Sequence, residues 1–294
     1  MIVYRVGPEW AATVAQIEAG LDGARFVECG ATQEKSVGWC EPRGQDHGPL
    51  VESVGGQLIL KLMIETRALP GSVVTRKAKE RVAQIEASTG RKPGKKEIRD
   101  LKDDIRLQLL PQAFTKQAAV GVWIDPIAAL LVIDASSQSR ADEVVTLLVQ
   151  SLDGFAAALL DSKLSPTTAM ADWLITQEAP SGFSIDRECE LKAADESKAV
   201  VRYARHPLDN DEVRQHVQGG KLPTRLALTW NNRVSFVLTE GLQIKKLAFL
   251  DVVMDGASTG KDDGFDANVA IATGELRKLL PDLIEALGGE MQAP

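Results

Sequence analysis

The sequence predicts an α+β protein in which antiparallel sheets pack with helices and a basic helical hairpin projects from the body. Three observations lead there. Leu58–Ile64, Val120–Ile124 and Leu226–Trp230 alternate apolar and other residues, the pattern of strands with one buried face. Between such stretches, apolar residues return every three or four positions, as on one face of a helix. Finally, Arg76–Arg106 holds eleven Lys/Arg against six Asp/Glu, in a chain of 294 residues whose formal net charge is −7.

Taken in order, Ile2–Val6 reads as an opening strand. Pro8 suits the first turn of a helix that places Val14, Ile17 and Leu21 on one face. Val37–Cys40 is a short strand, 43–49 a loop, and Leu58–Ile64 a longer strand. Two helices follow, the first with Val73, Val74, Val82 and Ile85, the second with Ile98, Leu101, Ile105 and Leu109. Thr89-Gly90 and Pro93-Gly94 separate them, because Pro93 biases Lys92 away from helical backbone. Val120–Ile124 and Leu130–Ile133 form a hairpin across Asp125-Pro126. Ser136 or Ser137 caps a helix running to Leu152, and Ser165-Pro166 opens another carrying Met170, Trp173 and Leu174.

Beyond Gly182 strands dominate. Ala199–Tyr203 is one, Asp209 caps a short helix ending at Gly219-Gly220, and 226–249 forms a meander turning at Asn231-Asn232 and Glu240-Gly241. A last strand, Val269–Ala272, leads to a helix from Thr273 to Leu287. That strand-and-helix order echoes 128–152. The expected division is 1–70 with 112–160 as a central α+β region, 71–111 as the helical hairpin, and 161–294 as a strand-rich base.

Composition narrows the function classes. With 44% hydrophobic and 26% charged residues the chain reads as an ordinary globular protein. The longest apolar runs, Ala118–Ile124 and Ala128–Ile133, are too short to cross a membrane, and the first residues lack the basic-then-apolar order of a secretory signal. Cys29, Cys40 and Cys189 cannot all pair and form no CxxC, which suits a reducing cytoplasm.

Motifs for chemistry are missing from the sequence. His47, His206 and His216 are scattered, and Cys29, Cys40 and His47 lack the spacing of a zinc site, so no metal and no cofactor are expected. Gly90–Lys96 is one residue short of a phosphate loop, lacks Ser/Thr after the lysine and follows no strand. Asp125 and Asp134 read as turn formers rather than an acid/base pair. No catalytic constellation is expected.

A basic segment on an acidic chain is the electrostatic footprint of a polyanion-binding surface. The plainer reading is a solvated helix surface with pairs such as Glu97–Lys102 and Asp100–Arg106. The candidate DNA contacts on charge alone are Arg76, Lys77, Lys79, Arg81, Lys92, Lys95, Lys96 and Arg99, joined by Arg202. A protein-interaction scaffold, its hairpin docking an acidic partner, is the alternative.

Several phrases, in order and over nearly the whole chain, resemble the RdgC family of recombination-associated proteins. They include MIVYRV, VGWCEP, LPGSVV, LLPQAF, WIDPIAALLVIDASS, KLPTRLALTWNNRVSFVL, IKKLAFLD and FDANVAIATGELRKLLPDLIEALGGE. The resemblance implies a horseshoe-like subunit that closes as a homodimer into a ring around duplex DNA, without sequence preference and without catalysis. It further implies restraint of RecA-driven strand exchange, a link to replication, and a cytoplasmic, nucleoid-associated location. Phe114 in LLPQAF falls on the family's interface phenylalanine, with a core aromatic as its other reading. Arg205 and His206 fall on a basic–glutamine pair of a DNA-touching loop, His206 departing from glutamine. Gln112 stands where the family usually has arginine.

Overall fold

The computed structural model describes residues 1–254 and 263–291. In chain order the elements are β1 (Ile2–Val6), α1 (Val14–Asp22), β2 (Lys35–Cys40), β3 (Val51–Val54), β4 (Gln57–Arg67), α2 (Gly71–Thr89) and α3 (Lys95–Leu109). A 3₁₀ turn (Leu110–Gln112) leads to β5 (Thr115–Asp125), β6 (Leu130–Ile133), α4 (Gln138–Ser151), β7 (Ala157–Leu159) and α5 (Pro166–Thr176). Then come β8 (Phe183–Ala193), β9 (Val200–Ala204), α6 (Asp211–Gln218), β10 (Lys221–Trp230), β11 (Val234–Thr239), β12 (Ile244–Phe249), α7 (Asp251–Met254) and α8 (Asp263–Ala286). The class is α+β with antiparallel sheets, as the alternation in the sequence predicts.

Two compact units divide the chain, one of Met1–Ile17, Val51–Ile59 and Val122–Pro294, the other of Glu18–Leu50 and Leu60–Gly121; β4 and β5 contribute to both. In the first unit a five-stranded antiparallel sheet runs β12-β11-β10-β8-β9. Its period of two is visible in the pairs Leu226–Leu238, Leu228–Phe236 and Trp230–Val234, all buried. Asn231 and Asn232 both take positive φ, 47° and 51°, as a tight turn between twisted strands requires. The α5 side chains Ala169, Met170, Trp173 and Leu174 and the α6 side chains Val213 and Val217 join that core. So do the α8 stripe Leu276, Leu279, Leu280 and Leu283 and, just past the helix, Leu287. Trp230 Nε1 donates to Asp282 Oδ2 at 2.8 Å, fastening α8 to the sheet. In the same unit β1 lies between β6 and β7, and Asp142 and Gln138 of α4 meet the Tyr4 hydroxyl. Burial, then the Asp142 charge, pushes that phenol up to about 12.

In the second unit Trp39 of β2 is fully buried opposite Leu62 of β4. Gly38 beside it is obligatory, since a Cβ there would stand 2.4 Å from the Phe26 Cα. Glu65 is a buried carboxylate on β4 that accepts the Cys29 amide at 2.8 Å and Gln117 Nε2 at 2.7 Å. Those two bonds hold it below the ordinary carboxylate range. A depressed folded value means that the stabilisation is complete above the ordinary range and is lost as pH falls through the lowered one. We expect Glu65→Gln to flatten the acid limb of a melting-temperature–pH profile. An unchanged acid limb would show that Glu65 is not a major contributor to it.

Four local expectations are corrected. The first helix starts at Val14 rather than near Pro8, because Thr13 and Gln16 form a reciprocal cap: Gln16 N–H to Thr13 Oγ1 at 3.3 Å and Thr13 N–H to Gln16 Oε1 at 2.9 Å. Asn210, not Asp209, caps α6 by accepting the Val213 amide at 2.9 Å. Residues 269–272 are not a strand but part of the continuous α8. Four residues of Val/Ile–Ala alternation fit a helix equally well, and the Thr273 hydroxyl bonds back to the Val269 carbonyl at 2.8 Å rather than capping. The echo with 128–152 fails for the same reason. Short strands β3 and β7 carry too few residues to announce themselves in the sequence.

Candidate nucleic-acid interface

Helices α2 and α3 belong to the second unit and pack through Val74, Ala78 and Ile105, with Leu101 and Leu109 beside them. The break is where the sequence puts it. Gly90 takes a left-handed φ of 70° and donates its amide to the Glu86 carbonyl, and the Glu97 carboxylate reaches back to the Gly94 amide at 2.7 Å. Glu97 also pairs with Arg91 at 2.6 Å, and these two contacts hold its carboxyl below the usual range.

Successive helical residues turn by about 100°, so α3 has three faces. Ile98, Leu101, Ile105 and Leu109 make the apolar one. Lys95, Arg99, Lys102 and Arg106 form a row along one flank, and Glu97, Asp100 and Asp104 a row along the other. The cations of α2 are more dispersed. Lys77 and Arg81 share one flank of the Val74–Ala78 stripe, Lys79 lies on the other, and Arg76 is opposite it. Lys92 sits in the turn, and Lys96 lies opposite the apolar face of α3.

Arg76, Lys77, Lys79, Arg81, Lys92, Lys95, Lys96 and Arg99 are all exposed. None of them has a carboxylate at ion-pair distance among the described residues; Arg81 instead donates to Gln84 at 3.1 Å. The expected pairs Glu97–Lys102 and Asp100–Arg106 are not formed. Glu97 is taken by Arg91, and Arg106 sits 3.3 Å from Glu34 and 3.5 Å from Asp103.

Phe114 follows the 3₁₀ turn in the same unit and is 87% exposed, which removes its reading as a core aromatic. Its backbone is held fast. The Phe114 carbonyl accepts the Ala68 amide at 2.7 Å, and the neighbouring Arg67 guanidinium donates to the carbonyls of Cys29, Gly30, Leu110 and Ala113 at 3.1–3.3 Å. Gln112 is exposed nearby in sequence.

Arg202, Arg205 and His206 belong to the first unit. Arg202, on the edge strand β9, is mostly exposed and pairs with Glu190 at 2.5 Å. Arg205 is exposed with a left-handed φ of 56°. The His206 amide donates to the Arg187 carbonyl at 3.0 Å, and its ring lies 5.6 Å from that of Tyr203. Its Nδ1 is 2.7 Å from the Pro207 carbonyl, so Nδ1 carries the proton of the neutral ring. Nε2 is then an acceptor, which matches no phosphate oxygen; only the imidazolium donates to one.

The buried carboxylates have structural partners. Besides Glu65, Asp125 Oδ1 accepts the Ile127 and Ala128 amides at 3.0 Å each, as the turn-forming reading expects, and Oδ2 is 2.8 Å from Arg277 Nε. Glu275 is clamped by Arg233 through two bonds of 2.7 Å. Among the described residues no three His, Cys, Asp or Glu side chains converge as metal ligands, all three cysteines are free thiols, and no helix is long and apolar enough to cross a membrane.

Similarity to known proteins points to the same family as those phrases. Residues 1–290 match the family model described as "RdgC: Putative exonuclease, RdgC". Proteins named "Recombination-associated protein RdgC" are similar along nearly their whole length. The one from Dechloromonas aromatica is 45% identical over 98% of this chain and 96% of its own. That of Cupriavidus pinatubonensis is 45% identical over 99% and 98%, and that of Bordetella pertussis 43% over 98% and 97%. With both the family model and the relatives covering nearly all of it, this chain belongs to the RdgC family of recombination-associated proteins.

Proposed function

We propose that the chain is a non-enzymatic, sequence-independent binder of duplex DNA that works as a homodimeric ring and limits access of RecA to the DNA. The observation that carries the DNA reading is the α3 flank of Lys95, Arg99 and Lys102, cations without carboxylate partners among the described residues, with Glu97, Asp100 and Asp104 on another face and Asp103 beside the row at Arg106. Segregation of this kind suits a linear array of phosphates, whereas alternating charges along one face would pair with each other. Family membership supports the recombination context, and the RecA and ring components come from the resemblance. Topological enclosure needs only diffuse phosphate contacts, consistent with an aromatic content of 5% and no recognition-helix motif.

The family description also names an exonuclease, and the scaffold alternative remains a competitor. The buried carboxylates speak for the non-enzymatic reading, since Glu65, Asp125 and Glu275 are each spent on amides or a guanidinium.

The deciding experiment compares linear duplex, the same duplex with blocked ends and closed circles across a salt series, with release of nucleotides followed in parallel. Long-lived complexes only on blocked or circular duplex support the ring. Absence of duplex binding at low salt leaves the scaffold, and metal-dependent nucleotide release restores the nuclease. Phe114→Ser is expected to leave melting unchanged, because the side chain is 87% exposed, while weakening self-association by at least about 30-fold, the size of an aromatic anchor. Sedimentation equilibrium reads this directly. Equal dimerisation in the variant would remove Phe114 from the interface.

A further inference from the structure

We propose that a cleft between α8 and the β10–β11 turn, in the first unit, binds a single nucleotide through Arg233, Arg277 and Lys278. The cleft has a volume of about 510 Å³, within the usual range for small-ligand sites. Its floor is one face of α8: Ala270, Ile271, Gly274, Arg277 and Lys278 recur at three- and four-residue spacing. Gly274 lies at the middle of that face, and a Cβ built there meets nothing within 4 Å. The helix thus offers a small-residue, partly apolar floor, with the cations Arg277 and Lys278 at the C-terminal end of that floor.

Both guanidiniums are held in place from behind. Asp125 is fully buried, and its Oδ2 makes no well-aligned hydrogen bond; the Arg277 Nε at 2.8 Å is the charge that compensates it. At that distance the opposite charges attract strongly, and the misalignment weakens only the hydrogen-bond component. Arg233 is set by the Asn231-Asn232 turn and by its two bonds to buried Glu275, whose carboxyl it holds below the usual range. Each arginine therefore spends one edge on a carboxylate. Their side chains remain 39% and 40% exposed, and Lys278 is exposed with no ion-pair partner among the described residues.

Pre-oriented planar donors plus a lysine are the chemistry of phosphate recognition. With Arg233 set against Glu275 and Arg277 against buried Asp125, Lys278 is the cation left in surplus, which favours an anion. Val253, Ala270 and Ile271 give apolar surface against which a base can lie. A nucleotide combines both requirements, either free or as the end of a DNA strand. The site shares no residue with α2 and α3, so it stands or falls apart from the duplex reading.

The test is calorimetric titration of the full-length protein with thymidine 5′-monophosphate, thymidine and inorganic phosphate. Gly274→Leu fills the floor and Lys278→Gln removes one cation, and neither disturbs a buried partner. The monophosphate is expected to bind at least about tenfold tighter than thymidine or phosphate alone. Gly274→Leu should abolish that binding and Lys278→Gln weaken it about tenfold, with melting preserved and binding to end-blocked duplex unchanged in both. A short oligothymidylate with a 5′ phosphate and a closed single-stranded circle separate the sources. Both sources uphold the site, capture of the oligonucleotide but not the circle marking a strand end, and capture of the monophosphate alone marking a free nucleotide. No binding of the monophosphate, binding indifferent to Gly274→Leu, or phosphate binding as tightly as the nucleotide overturns the proposal.

Discussion

Replacing Lys95, Arg99 and Lys102 together by Gln is expected to lower the salt dependence of duplex binding, log Kobs against log salt, by about three. Affinity at physiological salt should fall roughly 100-fold. Each phosphate contact releases close to one counterion, so the slope counts contacts whereas the affinity alone does not. The substitution is gentle on the fold, because the three side chains have no ion-pair partner among the described residues and glutamine is a good helix former. All duplex sequences should be affected alike, as backbone contacts carry no base information. The companion variant, Asp100→Asn with Asp104→Asn on the acidic flank, should leave the slope unchanged. A triple variant that retains the wild-type slope would place the α3 row away from DNA and return those residues to the role of a solvated helix face.

The largest effect on stability is expected at Asp125. Its carboxylate accepts two turn amides and compensates Arg277 from a position with no solvent exposure. Removing it by Asp125→Ala leaves two amides and a guanidinium without their acceptor, at a cost of about 3–5 kcal/mol. Asp125→Asn keeps an acceptor for the amides and loses only the charge, so about 1–2 kcal/mol is expected. Urea denaturation with an unchanged m-value measures both. A loss under about 1 kcal/mol for the alanine variant would mean that water replaces the carboxylate.

How far the sequence reveals this molecule depends on the distance over which each feature is decided. The α2–α3 pair was readable because glycine and proline at 90, 93 and 94 act on their own neighbours. The β10–β11 hairpin was readable because a two-residue asparagine turn sits between two runs of period two. The row Lys95–Arg99–Lys102–Arg106 was equally open to reading, since four-three-four spacing is a local property of a helix. Residues 269–272 misled because short alternation satisfies both periods, and the choice rested on packing of the leucine stripe further along α8. Glu65 gave no signal. A carboxylate in a strand ordinarily marks the solvent face, and its partners, Cys29 and Gln117, lie 36 and 52 residues away. The cleft cations escaped for the same reason: Arg233 and Arg277 become neighbours only once the sheet and α8 have come together.

Arg67 bears on how quickly Phe114 would engage a partner in its proposed role. With four carbonyls tied to one guanidinium and its own carbonyl bonded to Ala68, Phe114 keeps little freedom beyond its side-chain torsions. A surface that receives this ring meets it already in place and spends almost nothing on arranging the loop. Under the interface role proposed for Phe114, partner exchange would be governed by the rate of departure, and variants that loosen Arg67 should slow arrival long before they change what the phenylalanine touches.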